Sequence, residues 1–309
     1  MRYAGLFLVL GMNYIIFDLE WNGAYNYSSQ SFMNEIIEIG ALMLDERLKV
    51  VDTFKQMIYP HFTKRLSSRC KRLTKITNEE IRENGIDFLD AFRDFSRWSR
   101  GKDNVFMSWS NSDLFVLSQN FIQNTGNASI EFISNYCDAQ KYCMRFIKES
   151  DNPDNNQVAL EKCAELFGVS FDTEKMHRAL TDCYITLECL KKVYDKDIIR
   201  KYIDKCDSDY FERLMFKPYY ITEINTEGFN LENVDLICPK CGGLMDVPEE
   251  FELVNKSFKS DSKCNYCMRT YWIYIRAKKL YDSTSIKIGY VEMNRKRAKK
   301  LQKSKSASY

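Results

Sequence analysis

The sequence is poor in histidine, proline and glycine, and it has no long apolar run. Its 309 residues include 2 His, 5 Pro and 12 Gly. So little Pro and Gly excludes a collagen-like chain and a Gly/Pro-rich linker protein. No stretch of about 20 apolar residues is present, which argues against a transmembrane helix. The nearest thing to a targeting segment is residues 1–11, where Leu6 to Leu10 are apolar. That run leads into the next apolar segment without a small-residue cleavage site, so it is not read as a signal peptide. Met12 offers an alternative start. Large net charge is also missing, because 45 Lys+Arg stand against 43 Asp+Glu. With 45% hydrophobic and 14% aromatic residues, the chain can fill a sizeable core and is not disordered throughout.

Cysteine, by contrast, is plentiful. The count of eleven is odd, and two pairs have C-x-x-C spacing. That pattern points to reduced thiols with a metal site, and hence to the cytoplasm, rather than to a secreted disulfide scaffold. Charge is unevenly placed. Residues 276–309 hold eleven Lys/Arg and two acids, which leaves the rest of the chain at −7. An acidic body with a basic tail suits cation binding in one place and polyanion binding in another.

Strands are expected at 13–17, 35–44 and 50–58, with a turn at Asp45-Glu46-Arg47. A helix over 77–98 starts at a Thr77 cap with Glu80 three residues on, the spacing of a capping box. A strand at 104–109, a helix at 113–123, a strand around 131–137 and helices at 156–167 and 178–195 follow. Three meandering strands and then alternating helices and strands indicate an α/β fold with a mixed sheet.

Asp18 and Glu20 end the first strand. Positions two apart on a strand face the same way, so both carboxylates project together. A divalent cation between them would relieve their repulsion, and oxygen ligands suit Mg²⁺ or Mn²⁺. Solvated acids at a strand end are the plain alternative. In His177-Arg-Ala-Leu-Thr-Asp182 the two outer side chains converge only if His177 lies before a helix and Asp182 on its second turn. Otherwise His177 merely leads into the helix and Asp182 is on the surface. Asp113, after the strand 104–109, reads alone as a cap or first-turn residue. His61, in a loop after Pro60, has no assigned role.

Together, Asp18, Glu20, Asp113, His177 and Asp182 resemble the DEDDh exonucleases of the RNase H-like fold, in order and in the final His-x-Ala-x-x-Asp motif. Leu73-Thr-Lys-Ile-Thr77-Asn-Glu-Glu-Ile81 is similar to the family's L-x-x-I-T-x-x-x-I segment, and Glu35 to Ala41 to its second strand. The likeness spans residues 13–195 and is greatest to the KapD- and Eri-like branch. It implies an RNase H-like mixed sheet, antiparallel over its first three strands and parallel beyond. It also implies 3′→5′ hydrolysis of single-stranded ends by two Mg²⁺ or Mn²⁺ ions, with release of nucleoside 5′-monophosphates. In that scheme Asp18 bridges both ions, Glu20 and Asp182 hold the ion carrying the attacking water, and Asp113 supports the second. His177 is the general base, consistent with an imidazole titrating near neutrality. RNA is favoured over DNA on branch resemblance alone. A DNA exonuclease of repair or proofreading and a non-catalytic nucleic-acid-binding adaptor are the alternatives. Trp21 departs from the small residue or Thr found in many relatives. It stacks on a terminal base or packs into the core.

Cys238-Pro-Lys-Cys241-Gly-Gly and Cys264-Asn-Tyr-Cys267 fit a zinc ribbon with one closed, structural Zn²⁺. Glycine after Cys241 suits the left-handed corner that aims backbone N–H groups at sulfur. The other seven cysteines read as buried apolar residues. Tyr271, Trp272 and Tyr274 alternate with charge beside Arg269, Arg276, Lys278 and Lys279. That pattern suits single-stranded nucleic acid or an ordinary strand with one buried face. The expected organisation is an exonuclease domain over 12–195, a helical connector over 196–234, a zinc ribbon over 235–281 and a basic tail over 282–309.

Overall fold

A computed structural model of the chain describes residues 13–26, 30–63, 65–101, 104–127, 129–172, 177–226 and 228–293. The chain divides into two compact units, Met1–Met215 and Phe216–Tyr309. Among the described residues, no helix is long and apolar enough to cross a membrane.

The first unit opens with an antiparallel meander, β1 (Tyr14–Asn26), β2 (Ser31–Leu44) and β3 (Val50–Ile58). Helices α1 (Ser68–Thr74) and α2 (Asn78–Asn84), the short β4 (Gly85–Ile86) and α3 (Phe88–Trp98) follow. Next come β5 (Val105–Ser108), α4 (Asn111–Thr125), β6 (Asn135–Asp138), α5 (Ala139–Met144), α6 (Leu160–Leu166) and α7 (Ala179–Val193). The unit closes with α8 (Lys196–Ile199), β7 (Ile203–Lys205) and α9 (Ser208–Met215). Its sheet has the order β4-β3-β2-β1-β5-β6-β7, with β5 parallel to β1 and β6 parallel to β5. This is the mixed sheet expected of an RNase H-like fold.

Helices cover both faces of β1, so its first half is apolar on both sides. Ile15, Phe17 and Leu19 pack with Phe95, Phe106 and Leu114 on one face. Tyr14 and Ile16 pack with Leu42, Cys183 and Leu187 on the other. The alternation that buries these residues also sets where the strand's acids point.

The expected helix at 77–98 is two helices. Thr77 caps α2 by accepting the Glu80 N–H at 3.0 Å, as its spacing predicts. Gly85 and Ile86 then run extended along β3, and Asp87 caps a new helix by accepting the Leu89 N–H at 2.8 Å. The strand predicted around 131–137 is confined to β6.

The second unit holds β8 (Tyr219–Tyr220), β9 (Asn225–Thr226), β10 (Phe229–Asn230), β11 (Glu252–Val254), β12 (Ser257–Lys263), β13 (Thr270–Lys279) and β14 (Thr284–Glu292). The main sheet runs β11-β12-β13-β14, and β8 also pairs with β13. Two expected segments differ from this arrangement. The helical connector 196–234 is mostly not helical. Its β7 pairs with β6, and Phe211 of α9 enters the first unit's core, so that unit continues to Met215. Residues 284–292 form β14 rather than a tail, because Ile288 and Tyr290 pack against the second unit's core. The basic residues Arg295 to Lys305, like residues 1–11, lie outside the described residues.

Candidate functional site

Past Ile16, the β1 face that α7 covers presents Asp18 and then Glu20. Across the ladder, Asp18 stands opposite Gly40 and Glu20 opposite Glu38. The register shifts immediately afterwards, between Glu20 and Trp21, and leaves Ile37 as the extra residue. Such bulges redirect side chains near functional sites.

Two features of β2 bring α7 to this point. Gly40 has no room for a Cβ, which would collide with the backbone of Ala179 and Leu180. Glu38, fully buried, accepts the Ala179 N–H at 3.1 Å and so caps the helix from a neighbouring strand. It also takes both arms of the Arg178 guanidinium, at 2.8 and 3.2 Å, and Arg178 reaches Glu80 at 2.9 Å. Without this pairing, Glu20 and Glu38 would be like charges directly opposed. His177 precedes the helix with φ 61°, a left-handed corner, and is exposed. Its backbone N–H is directed at the Asp182 carboxylate. Asp182 lies in the first turn of α7, not the second as expected, because the helix begins at Ala179.

Asp113 arrives from the other side of β1. Ser110 caps α4, and Asp113 is in its first turn, the second of the two positions its sequence context offered. The Asp113 carboxylate is buried and accepts the Leu19 N–H at 3.1 Å. The β1–β5 pairing covers only Tyr14 to Ile16, so Leu19 lies beyond it.

The five predicted residues therefore line one cleft of about 700 Å³. One carboxylate oxygen from each of Asp18, Glu20 and Asp182 lies within 4.8 Å of the others. Burial, and then Asp113, Glu20 and Asp182, push Asp18 well above the usual carboxylate range. Burial and Asp182 raise Glu20 to about 9. Burial raises Asp113 to about 7 against the Leu19 hydrogen bond, and Asp182 to about 6 against His177. Among the described residues, Asp182 Oδ1 is buried and has no hydrogen-bond partner. Crowded oxygens, one of them orphaned, fit a hard divalent cation.

Trp21 is half-buried. It lines the cleft and also packs against the core, as the core-packing reading expects. Phe32, 75% exposed, also lines the cleft. Residues 61–63 and Ser67 are held by two side chains whose role spacing alone does not reveal, Glu35 and Asn22. Glu35 accepts N–H groups from Phe62 at 2.7 Å and Thr63 at 2.9 Å, and Asn22 accepts that of Ser67 at 3.0 Å. His61 meets Asp87 at 2.8 Å, outside the cleft.

In the second unit, the sulfurs of Cys238, Cys241, Cys264 and Cys267 lie within 4.8 Å of one another. Cys238–Cys267 and Cys241–Cys264 are 3.6 and 3.5 Å apart. Four thiolates around a Zn²⁺ at ~2.3 Å would stand ~3.8 Å apart, so the cluster has the right size. The two knuckles repeat one design. Gly242 N–H bonds to Cys238 O at 2.9 Å, and Met268 N–H bonds to Cys264 O at 3.0 Å. Both corner residues are left-handed, with φ 73° and 60°. Burial opposes charge at Cys238, but N–H groups of Cys241 and Lys240 outweigh it and bring its thiol down to about 6.

Residues 15–190 match the exonuclease family RNase_T. The chain is 32% identical over 180 residues to "Probable 3′-5′ exonuclease KapD" of Bacillus subtilis (strain 168), covering 58% of this chain and 81% of that protein. In fold it is similar to the nuclease domain of 3′hExo, a DEDDh family member solved with rAMP. The TM-score is 0.53 at 19% identity, over 64% of this chain and 99% of that one. It is also similar to exonuclease I, with a TM-score of 0.50 at 14% identity, over 62% of this chain but 43% of that one. The match over residues 15–190 covers more than half of this sequence, and the chain belongs to the exonuclease family.

Proposed function

We propose that this chain is a metal-dependent 3′→5′ exonuclease that acts on single-stranded ends, prefers RNA to DNA, and releases nucleoside 5′-monophosphates. The observation that carries the reading is the convergence of Asp18, Glu20 and Asp182 oxygens within 4.8 Å, in the cleft that also holds Asp113 and His177. Asp18, Glu20 and Asp182 would hold Mg²⁺ or Mn²⁺, with Asp113 supporting a second ion. Bound there, such ions neutralise the phosphodiester, acidify water and stabilise the leaving 3′-oxygen. His177 takes the proton of the attacking water from the cleft's rim. Trp21 and Phe32 offer aromatic surface to the terminal base. The RNA preference rests on resemblance to the KapD- and Eri-like branch.

The four cysteines of the second unit hold a structural Zn²⁺ in this reading, and so many free thiols suit the cytoplasm. The test is release of mononucleotide from end-labelled RNA and DNA single strands, with and without added Mg²⁺ or Mn²⁺. Asp18→Ala is expected to lower the rate by about 10³-fold or more while the fold survives. Near-parental, metal-dependent cleavage by Asp18→Ala would overturn the assignment. A shifted but uncut oligonucleotide would favour an adaptor.

A further inference from the structure

The inner face of β13 carries Tyr271, Ile273, Ile275 and Ala277 into the second unit's core. Alternation places Trp272, Tyr274, Arg276 and Lys278 on the outer face, spaced about 6.8 Å apart. Tyr274 is 41% exposed, and its ring lies across Gly289, where a Cβ would strike it. A glycine opposite an aromatic lets the ring lie against the sheet and turn one π face outward.

Beside it the face is strongly positive. Tyr220 pairs with Lys278 across the ladder, and three cations surround its ring. Lys256 Nζ and Arg276 Cζ are each 5.5 Å from the centroid, and Lys278 Nζ is 5.9 Å away. Lys287 stands opposite Arg276 and is exposed. Among the described residues, none of these four cations has a carboxylate within 4.0 Å. The acids of this face, Glu252 and Asp261, stand across the ladder from Lys259 and Trp272 rather than from these four cations. Cation–π attraction contributes little at exposed sites, and it does not remove the repulsion among three like charges. A polyanion would, and the exposed Tyr274 and half-buried Tyr220 rings among these cations favour one that carries bases.

We propose that this outer face is a second nucleic-acid site, separate from the carboxylate cleft, at which Tyr220 and Tyr274 stack on the bases of a single strand and Lys256, Arg276, Lys278 and Lys287 hold its phosphates. The site does not depend on the hydrolytic reading, because its test needs no cleavage.

The experiment titrates the full chain with a fluorescent 20-nucleotide strand, as RNA and as DNA, without added divalent cation and at several salt concentrations. The double variant Arg276→Gln/Lys278→Gln should bind at least tenfold more weakly. Its slope of log affinity on log salt should be shallower by about 1.4, or roughly 0.7 for each lost phosphate contact on a single strand. Tyr274→Ser should weaken binding about fivefold or more with the slope unchanged. Should a strand variant fail to fold, Lys256→Gln, in the β11–β12 turn, should shift affinity and slope in the same direction as the double variant. Parental affinity in the charge variants would overturn the proposal. So would parental affinity in Tyr274→Ser, which would make the face a patch for any polyanion.

Discussion

The first unit gathers its carboxylates from β1, α4 and α7, whereas the second takes its four sulfurs from two short knuckles 22 residues apart. The carboxylates are anions forced together by a rigid surround, and burial and mutual repulsion raise their affinity for protons. At Cys238 and Cys264 the backbone points N–H groups at the sulfurs and favours thiolate. The knuckles make their anions comfortable before any cation arrives; the cleft does not. In the proposed reading, the knuckles would hold their metal permanently, whereas the cleft would exchange its ions.

Removing a sulfur should break this contrast most severely. Structural zinc contributes about 10–16 kcal/mol to folding in small domains. Cys264→Ser is therefore expected to abolish bound Zn²⁺ and the second unit's β structure while leaving metal-dependent hydrolysis of a dinucleotide intact. Metal content and far-ultraviolet circular dichroism check the first part, and a dinucleotide assay checks the second. Equal loss in both units would mean that they do not fold separately.

A smaller effect is expected at Glu38, which touches no proposed metal ion but fixes the segment that carries His177 and Asp182. Groups that orient metal ligands typically matter by about 10–100-fold. Glu38→Gln should lower activity by that amount, chiefly by raising the Mg²⁺ concentration needed, with recovery at high Mg²⁺. A loss confined to kcat at saturating metal would sink this positioning role.

The smallest effect sharpens the comparison through pH. Glu20, Asp113 and Asp182 titrate at about 9, 7 and 6 in the fold, above the ~4 of an unfolded carboxylate. Their contribution to stability is thus fully present below about pH 4 and is lost as pH rises through 6 to 9. The metal-free protein should melt at lower temperature at pH 8 than at pH 5.5, apart from changes elsewhere in the chain. Asp182→Asn should recover on the order of 1–3 kcal/mol at pH 8 without metal. Added Mg²⁺ should raise the melting temperature of the parent more than that of the variant.

Much of the cleft was legible because its chemistry is local in pattern. Asp18 and Glu20 are two apart on a strand, and His177 to Asp182 fall within one turn of a helix start. The cysteine spacing was equally plain. Glu38 was not, since an acid in the run Ile36–Leu44 gains meaning only from Arg178, 140 residues away. Asn22 and Glu35 were missed for the same reason, their partners lying on a loop tens of residues later. β7 and β14 escaped notice because one is three residues long and the other is lightly patterned. Each becomes a strand through the neighbour it pairs with.

Gly40 gives the cleft a rear wall one methyl thinner than any other residue would allow, and α7 settles into that space. The distance between Asp18 and Asp182 is thereby fixed by a position that carries no chemistry of its own. A descendant with alanine there would keep every signature residue, pass any motif search, and yet have its anions too far apart to grip one ion between them. Inactive members of such a lineage are therefore to be sought behind the signature as well as within it.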